Sequence, residues 1–240
     1  TGIILTEARH TPNPPVEIDQ FDFTLGALEL ILPDGSTETI EVTGPATVAV
    51  YFEGNVEGEA FDDGSVAGLD EVRTEMIALD LNGFSPTLGP VHVGLNPNMM
   101  SIGQIEELVN NTPGVLDINP FAEGDADSFF DIFFQVEAGG QTFLTVEPKR
   151  MSAQISEKPP GPGAWYEGLT DIPLVDVAGN DTGFFLGATR HRPRPPVEID
   201  QFDFTLGALE LILPDGSTET IEVTGPATVA VYFEGNVEGE

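Results

Sequence analysis

Polar and apolar positions alternate along most of this chain. Glu38-Thr39-Ile40-Glu41-Val42 sets Ile40 and Val42 on one face, and Thr47–Phe52 does the same with Val48, Val50 and Phe52. Such period-two patterns predict half-buried strands. Glu75–Leu81 gathers Ile77, Leu79 and Leu81, and Val91–Leu95 repeats the motif. Pro33-Asp34-Gly35-Ser36 links Ala27–Leu32 to the first of these runs as a hairpin, because proline presets the turn and glycine accepts a positive φ. Ala138-Gly139-Gly140 predicts a second hairpin, between Phe129–Glu137 and Gln141–Glu147. With Met151–Ile155, Ile172–Val175 and Phe184–Thr189 the pattern yields about ten strands. Pro173, which lacks an N–H, places its strand at a sheet edge. One short helix is expected from Ser101-Ile102-Gly103-Gln104, a capping-box pattern followed by Ile105, Leu108 and Val109 and stopped at Pro113-Gly114. The predicted fold class is all-β with one short helix, arranged as an antiparallel β-sandwich.

The chain also repeats itself. Pro14–Glu59 and Pro195–Glu240 are identical over 46 residues at an offset of 181. The match extends loosely backward, with Arg9-His10 facing Arg190-His191. This predicts sandwich beads in a tandem array; the alternative is a single protein with a duplicated segment. Proline-rich stretches favour extended, semi-rigid geometry and mark the boundaries. Residues 1–10 are then the last strand of a preceding repeat, 11–15 a linker, 16–191 a complete repeat, 192–196 a second linker and 197–240 the first strands of the next.

Charge narrows the functional classes. Eight basic and 41 acidic side chains give a formal net charge of −33. Such a chain repels phosphate, which argues against a nucleic-acid partner. No run of eighteen apolar residues offers a helical membrane span. The absence of cysteine removes disulfides and thiolate metal sites. Residues 1–181 carry 31 acidic and 5 basic side chains, so neighbouring repeats repel unless cations screen them. Ca²⁺ takes about six to eight oxygen ligands, and turn-rich acidic segments supply them. The candidate ligands are Glu123, Asp125, Asp127 and Asp131; Asp176, Asn180 and Asp181; and Asp62 and Asp63, in a cluster with Glu53, Glu57 and Glu59 followed by Asp70 and Glu71. The first group lacks EF-hand spacing, because the sixth position from Glu123 is Ser128 and the twelfth is Phe134. The competing reading is solvated turns, or an acidic surface suited to high salt.

Catalytic signals are weak, and the expectation is a non-enzyme. His10 and His191 are repeat equivalents beside a linker, His92 sits within a strand, and no G-x-S-x-G or H-E-x-x-H pattern occurs. Trp165-Tyr166 suits either a glycan-stacking surface or a cap over the end of the sandwich. Arg73-Thr74-Glu75-Met76, Gly83–Pro90 and Phe129–Phe134 carry a likeness. Through them the repeat resembles β-rich domains of secreted or surface-anchored bacterial proteins of unassigned function. That resemblance implies an extracellular or cell-surface location and no catalytic residue. The sequence therefore predicts a structural component of an extracellular filament, self-associating through neighbouring repeats with Ca²⁺ at acidic loops. A repetitive adhesin that binds a glycan or protein is the alternative.

Overall fold

The computed structural model describes residues 16–64, 68–193, 197–212 and 218–232, the last two segments as backbone. The expected strand at 1–10 and the linker at 11–15 lie outside the described residues. The chain opens with three long strands, β1 (Val16–Ile31), β2 (Thr37–Tyr51) and β3 (Glu71–Ser85). Shorter ones follow: β4 (Gly89–Leu95), β5 (Ser101–Glu107), β6 (Ala126–Ile132) and β7 (Phe134–Ala138). Next come β8 (Gln141–Thr145), β9 (Lys149–Ile155), β10 (Tyr166–Gly168) and β11 (Ile172–Asp176), then the longer β12 (Asp181–Pro193). The repeated segment supplies β13 (Val197–Ile212) and β14 (Thr218–Tyr232).

The all-β antiparallel class holds, and the pairing refines its architecture. A sandwich keeps two separate sheets, whereas here one sheet closes on itself where β12 pairs with β1. The short strands pair up as halves of longer ones. The C-terminal half of β3 pairs with β4 and its N-terminal half with β5. β7 then follows β4 and β6 follows β5, β8 and β9 follow in turn, and β11 and β10 line the two halves of β12. The result is an eight-staved up-and-down barrel: β1, β2, β3, β4/β5, β6/β7, β8/β9, β10/β11 and β12. Closure over Thr24–Ile31 of β1 pairs edges that a flat sheet would leave open.

Several local expectations change. Ser101–Glu107 is strand β5 rather than a helix, with Ile105 buried and Ile102 turned out. The helical spacing of Ile102, Ile105, Leu108 and Val109 loses to a strand ladder available on both sides, and Leu108 and Val109 are exposed. Ile77 does not join Leu79 and Leu81, because a bulge opposite Thr47 and Val48 shifts the register. Met76 therefore points into the core and Ile77 is 45 % exposed. Pro173 lies within the barrel wall, paired to Phe185, but the pairing of β11 to β8 begins only at Leu174. Arg192 and Pro193, assigned to a linker by composition, are the last residues of β12; residues 194–196 lie outside the described residues.

Where staves break, ladder hydrogen bonds are lost, and buried side chains replace them. Asn96 Nδ2 donates to Thr145 O at 3.1 Å. Ser101 Oγ accepts from Phe133 N at 3.0 Å, and Thr145 Oγ1 accepts from Phe134 N at 2.8 Å. Lys149, fully buried, donates Nζ to Thr170 O at 2.5 Å and Gly187 O at 2.6 Å. These residues form a polar belt across four consecutive staves and the adjoining β12. The apolar core fills the barrel from Phe52 and Val72 at one end to Val136 and Leu174 towards the other.

Candidate functional site

Strand alternation sends every second side chain inward, and an eight-stranded barrel leaves just enough room for those side chains or for one small ligand. Among the described residues at least two narrow spaces remain inside this one. The first lies among Phe21, Val48, Met76, Phe130 and Met151. The second lies among Leu28, Val42, Leu81, Phe134 and Leu186. Both are bordered by Met76, Ile132, Met151 and His191, so they meet at mid-barrel. Gly26 contributes by what it lacks: a Cβ there would sit 3.0 Å from a Val42 methyl and 3.5 Å from the His191 ring.

A few polar groups interrupt this apolar lining. Tyr166 Oη donates to Ser128 Oγ at 2.9 Å, and burial holds its phenol well above its usual range. Thr74 Oγ1 is buried without a hydrogen-bond partner. His191 Nε2 is likewise sealed from solvent and unpartnered. Burial pushes the His191 imidazole down to about 4, so it is neutral at physiological pH. Unpaired buried polar atoms are costly, and each asks for an explanation.

At one end, Asp19 lines the first space. The inward positions of β1 are set by Phe21, which places Glu17 and Asp19 inside and Val16 and Ile18 outside. Lys158, on the segment that crosses this end, bridges the Glu17 carboxylate and Asp19 Oδ2, the latter at 3.2 Å. Its ammonium is completely buried, 5.7 Å from the Phe52 ring centre.

The sequence-predicted metal ligands lie elsewhere, on loops and the outer wall. Glu123 and Asp125 are exposed in the turn before β6. Asp127 and Asp131 share the outward face of β6, where Asp131 pairs with Arg150 at 2.6 and 2.8 Å. Asp62 accepts from Gly64 N and Gly68 N, each at 2.7 Å, while the Asp63 N–H donates to the Glu71 carboxylate. Asp176 and Asn180 come together in one turn, where Asp176 accepts from Ala178 N, Asn180 N and Asn180 Nδ2. The Asn180 bonds lower the Asp176 pKa. Asp181 accepts from Gly183 N at 2.9 Å. Among the described residues no three His, Asp or Glu side chains gather as a metal-ligating group. Trp165, 40 % exposed, stands outside the barrel with Arg190 and Arg192 over its ring at 5.6 and 5.2 Å, while Tyr166 points inside. His92 faces outward and bonds Asp80 at 3.0 Å.

Sequence reading missed the interior polar groups. Thr74 between Val72 and Met76, and Ser128 between Ala126 and Phe130, do carry a signal: small polar residues at positions whose period-two neighbours are apolar. His191 carried none, because its burial depends on closure of the barrel.

No protein-family model matches this chain, and no curated protein matches it. Among solved structures it is similar to DynF from the dynemicin biosynthesis pathway of Micromonospora chersina. The identity is 21 %, the TM-score 0.57, and the match covers 78 % of this chain and 90 % of DynF. A likeness at that identity shows a shared fold. No helix long and apolar enough to cross a membrane occurs among the described residues.

Proposed function

We propose that the barrel is a binding protein for a slender, largely apolar small molecule that carries one hydroxyl or other hydrogen-bond donor. One observation carries this reading: an apolar interior space bordered by two buried, unpartnered polar atoms, Thr74 Oγ1 and His191 Nε2. Small-molecule sites are concave and mostly apolar, with a few polar groups that fix orientation. A neutral imidazole whose Nε2 holds a lone pair accepts a donor from the ligand, and the Thr74 hydroxyl can donate or accept in turn. The meeting of two narrow spaces at Met76, Ile132 and Met151 favours an elongated shape over a bulky one, and flexible methionines adapt to it.

The test uses the 240-residue chain and an environment-sensitive apolar dye, N-phenyl-1-naphthylamine, with long-chain alcohols, acids and amines as competitors. The dye is expected to brighten on binding and to be displaced best by the alcohols. Met76→Trp, which fills the junction, should abolish binding, while Phe84→Ser on the exposed outer wall should leave it intact. Equal dye binding by the parent and Met76→Trp would overturn the proposal.

A second reading, the tandem-repeat extracellular fibre with Ca²⁺ at acidic loops, is favoured by the repeated segment itself. β13 and β14 pair in the same register as β1 and β2, including the same irregularity between Phe202 and Thr205 as between Phe21 and Thr24. The repeat thus begins a second barrel hairpin. Electron microscopy of multi-repeat material with and without EGTA separates this reading from a soluble carrier.

A further inference from the structure

β1 is longer than the strand that closes the barrel against it. β12 covers Thr24–Ile31, which leaves the edge at Val16–Gln20 to another partner. β13 takes it, and the register is informative: Val16 faces Gln201, Glu17 faces Asp200, Ile18 faces Ile199, Asp19 faces Glu198 and Gln20 faces Val197. Subtracting the repeat offset of 181 turns Gln201 into the copy of Gln20, Ile199 into the copy of Ile18 and Val197 into the copy of Val16. Each strand therefore meets its own duplicate, antiparallel, about a local two-fold centred on Ile18 and Ile199.

This symmetry follows from two quantities. Pro193 faces Thr24 and Val197 faces Gln20, so β12 and β13 lie in one unshifted register along β1. Closure of the barrel fixes that register, and the repeat length then determines which residue meets its own copy. A different offset would have placed unlike residues opposite one another.

We infer that the Val16–Gln20 edge of β1 is a two-fold docking edge for the same strand of the following repeat, so that consecutive repeats join as closed pairs. A free strand edge is a template for another strand, and main-chain hydrogen bonds supply the attraction. An isologous contact is self-complementary and closes. Once two β1 edges have met, neither has a side left for a third repeat. Any fibre of such repeats must extend through a different surface, and this edge contributes pairs along it. The inference is independent of what the barrel interior binds.

Cysteine cross-linking tests it in the 240-residue chain, which has no cysteine of its own. Ile18→Cys with Ile199→Cys, and separately Val16→Cys with Gln201→Cys, place thiols on directly opposed residues, within disulfide reach. Both pairs are expected to lose their free thiols on mild oxidation while the protein remains a monomer by light scattering. Val16→Cys with Val197→Cys joins the duplicates that a parallel arrangement would oppose, and should keep both thiols free. Should one antiparallel variant fail to fold by circular dichroism, the other carries the result alone. Free thiols in a folded antiparallel variant, closure of the 16/197 pair, or cross-links only between chains would each overturn the two-fold edge.

Discussion

Glu71 shows how one side chain sets a pH response. It is 4 % exposed, accepts the Asp63 N–H, and leaves its second oxygen buried without a partner. Burial, with Asp63 and Glu106 adding repulsion, pushes its carboxyl up to about 7 from 4.5. The unfolded chain ionises first as pH rises, so Glu71 binds more protons folded than unfolded between those values. Its contribution to stability is full below pH 4.5, declines through that window and is flat above 7, a loss of at most about 3–4 kcal/mol at 1.36 kcal/mol per unit. Glu71→Gln keeps an acceptor for Asp63 and removes the charge. Urea unfolding between pH 4 and 8 should show a shallower decline for the variant and greater stability than the parent at pH 8. Part of the slope remains, because burial also raises Glu107, which accepts Asp70 N and Asp117 N beside it. Lys158 uses its charge in the opposite sense: it occupies a dry site because Glu17 and Asp19 are there to receive it.

At the scale of elements, the breaks in the staves are as informative as the strands. Phe129–Glu137 reads as one strand by pattern, yet the chain divides at Phe133 into β6 and β7, and neighbouring staves divide at the same level. Each break exposes backbone groups inside the wall, and the polar belt satisfies them. Lys149 is the most demanding member, since burial pushes its ammonium down to about 8 against the pull of Asp171 and Glu29. Lys149→Met preserves most of the volume and leaves Thr170 O and Gly187 O unpaired. The expected destabilisation is about 1–3 kcal/mol, read from the urea midpoint, because Gly187 O becomes an unsatisfied buried acceptor while the exposed Thr170 can turn to water. A conservative aliphatic replacement on the outer wall, Ile77→Val, should cost far less.

For the molecule as a whole, a net charge of −33 acts against a closed structure with an apolar interior. Self-repulsion destabilises compact states, and salt shortens its range from about 30 Å at 0.01 M to about 3 Å at 1 M. The melting temperature should therefore rise with sodium chloride over that range, as followed by circular dichroism; an unchanged value would show that the carboxylates are already neutralised locally. What the sequence determined by itself is local: the period-two faces of β2, the Pro33–Ser36 hairpin and the identical hairpins of the two copies all follow from residues a few positions apart. Only the tertiary structure decided that the sheet closes, that β1 turns Glu17 and Asp19 inward, and that His191 faces the apolar interior of the barrel. The physical reason is distance along the chain. Closure pairs Thr24 with Pro193, and alternation within each strand is the same whether that pairing forms a barrel or two stacked sheets. The choice rests on register between remote strands and on the packing of side chains that no local pattern brings together.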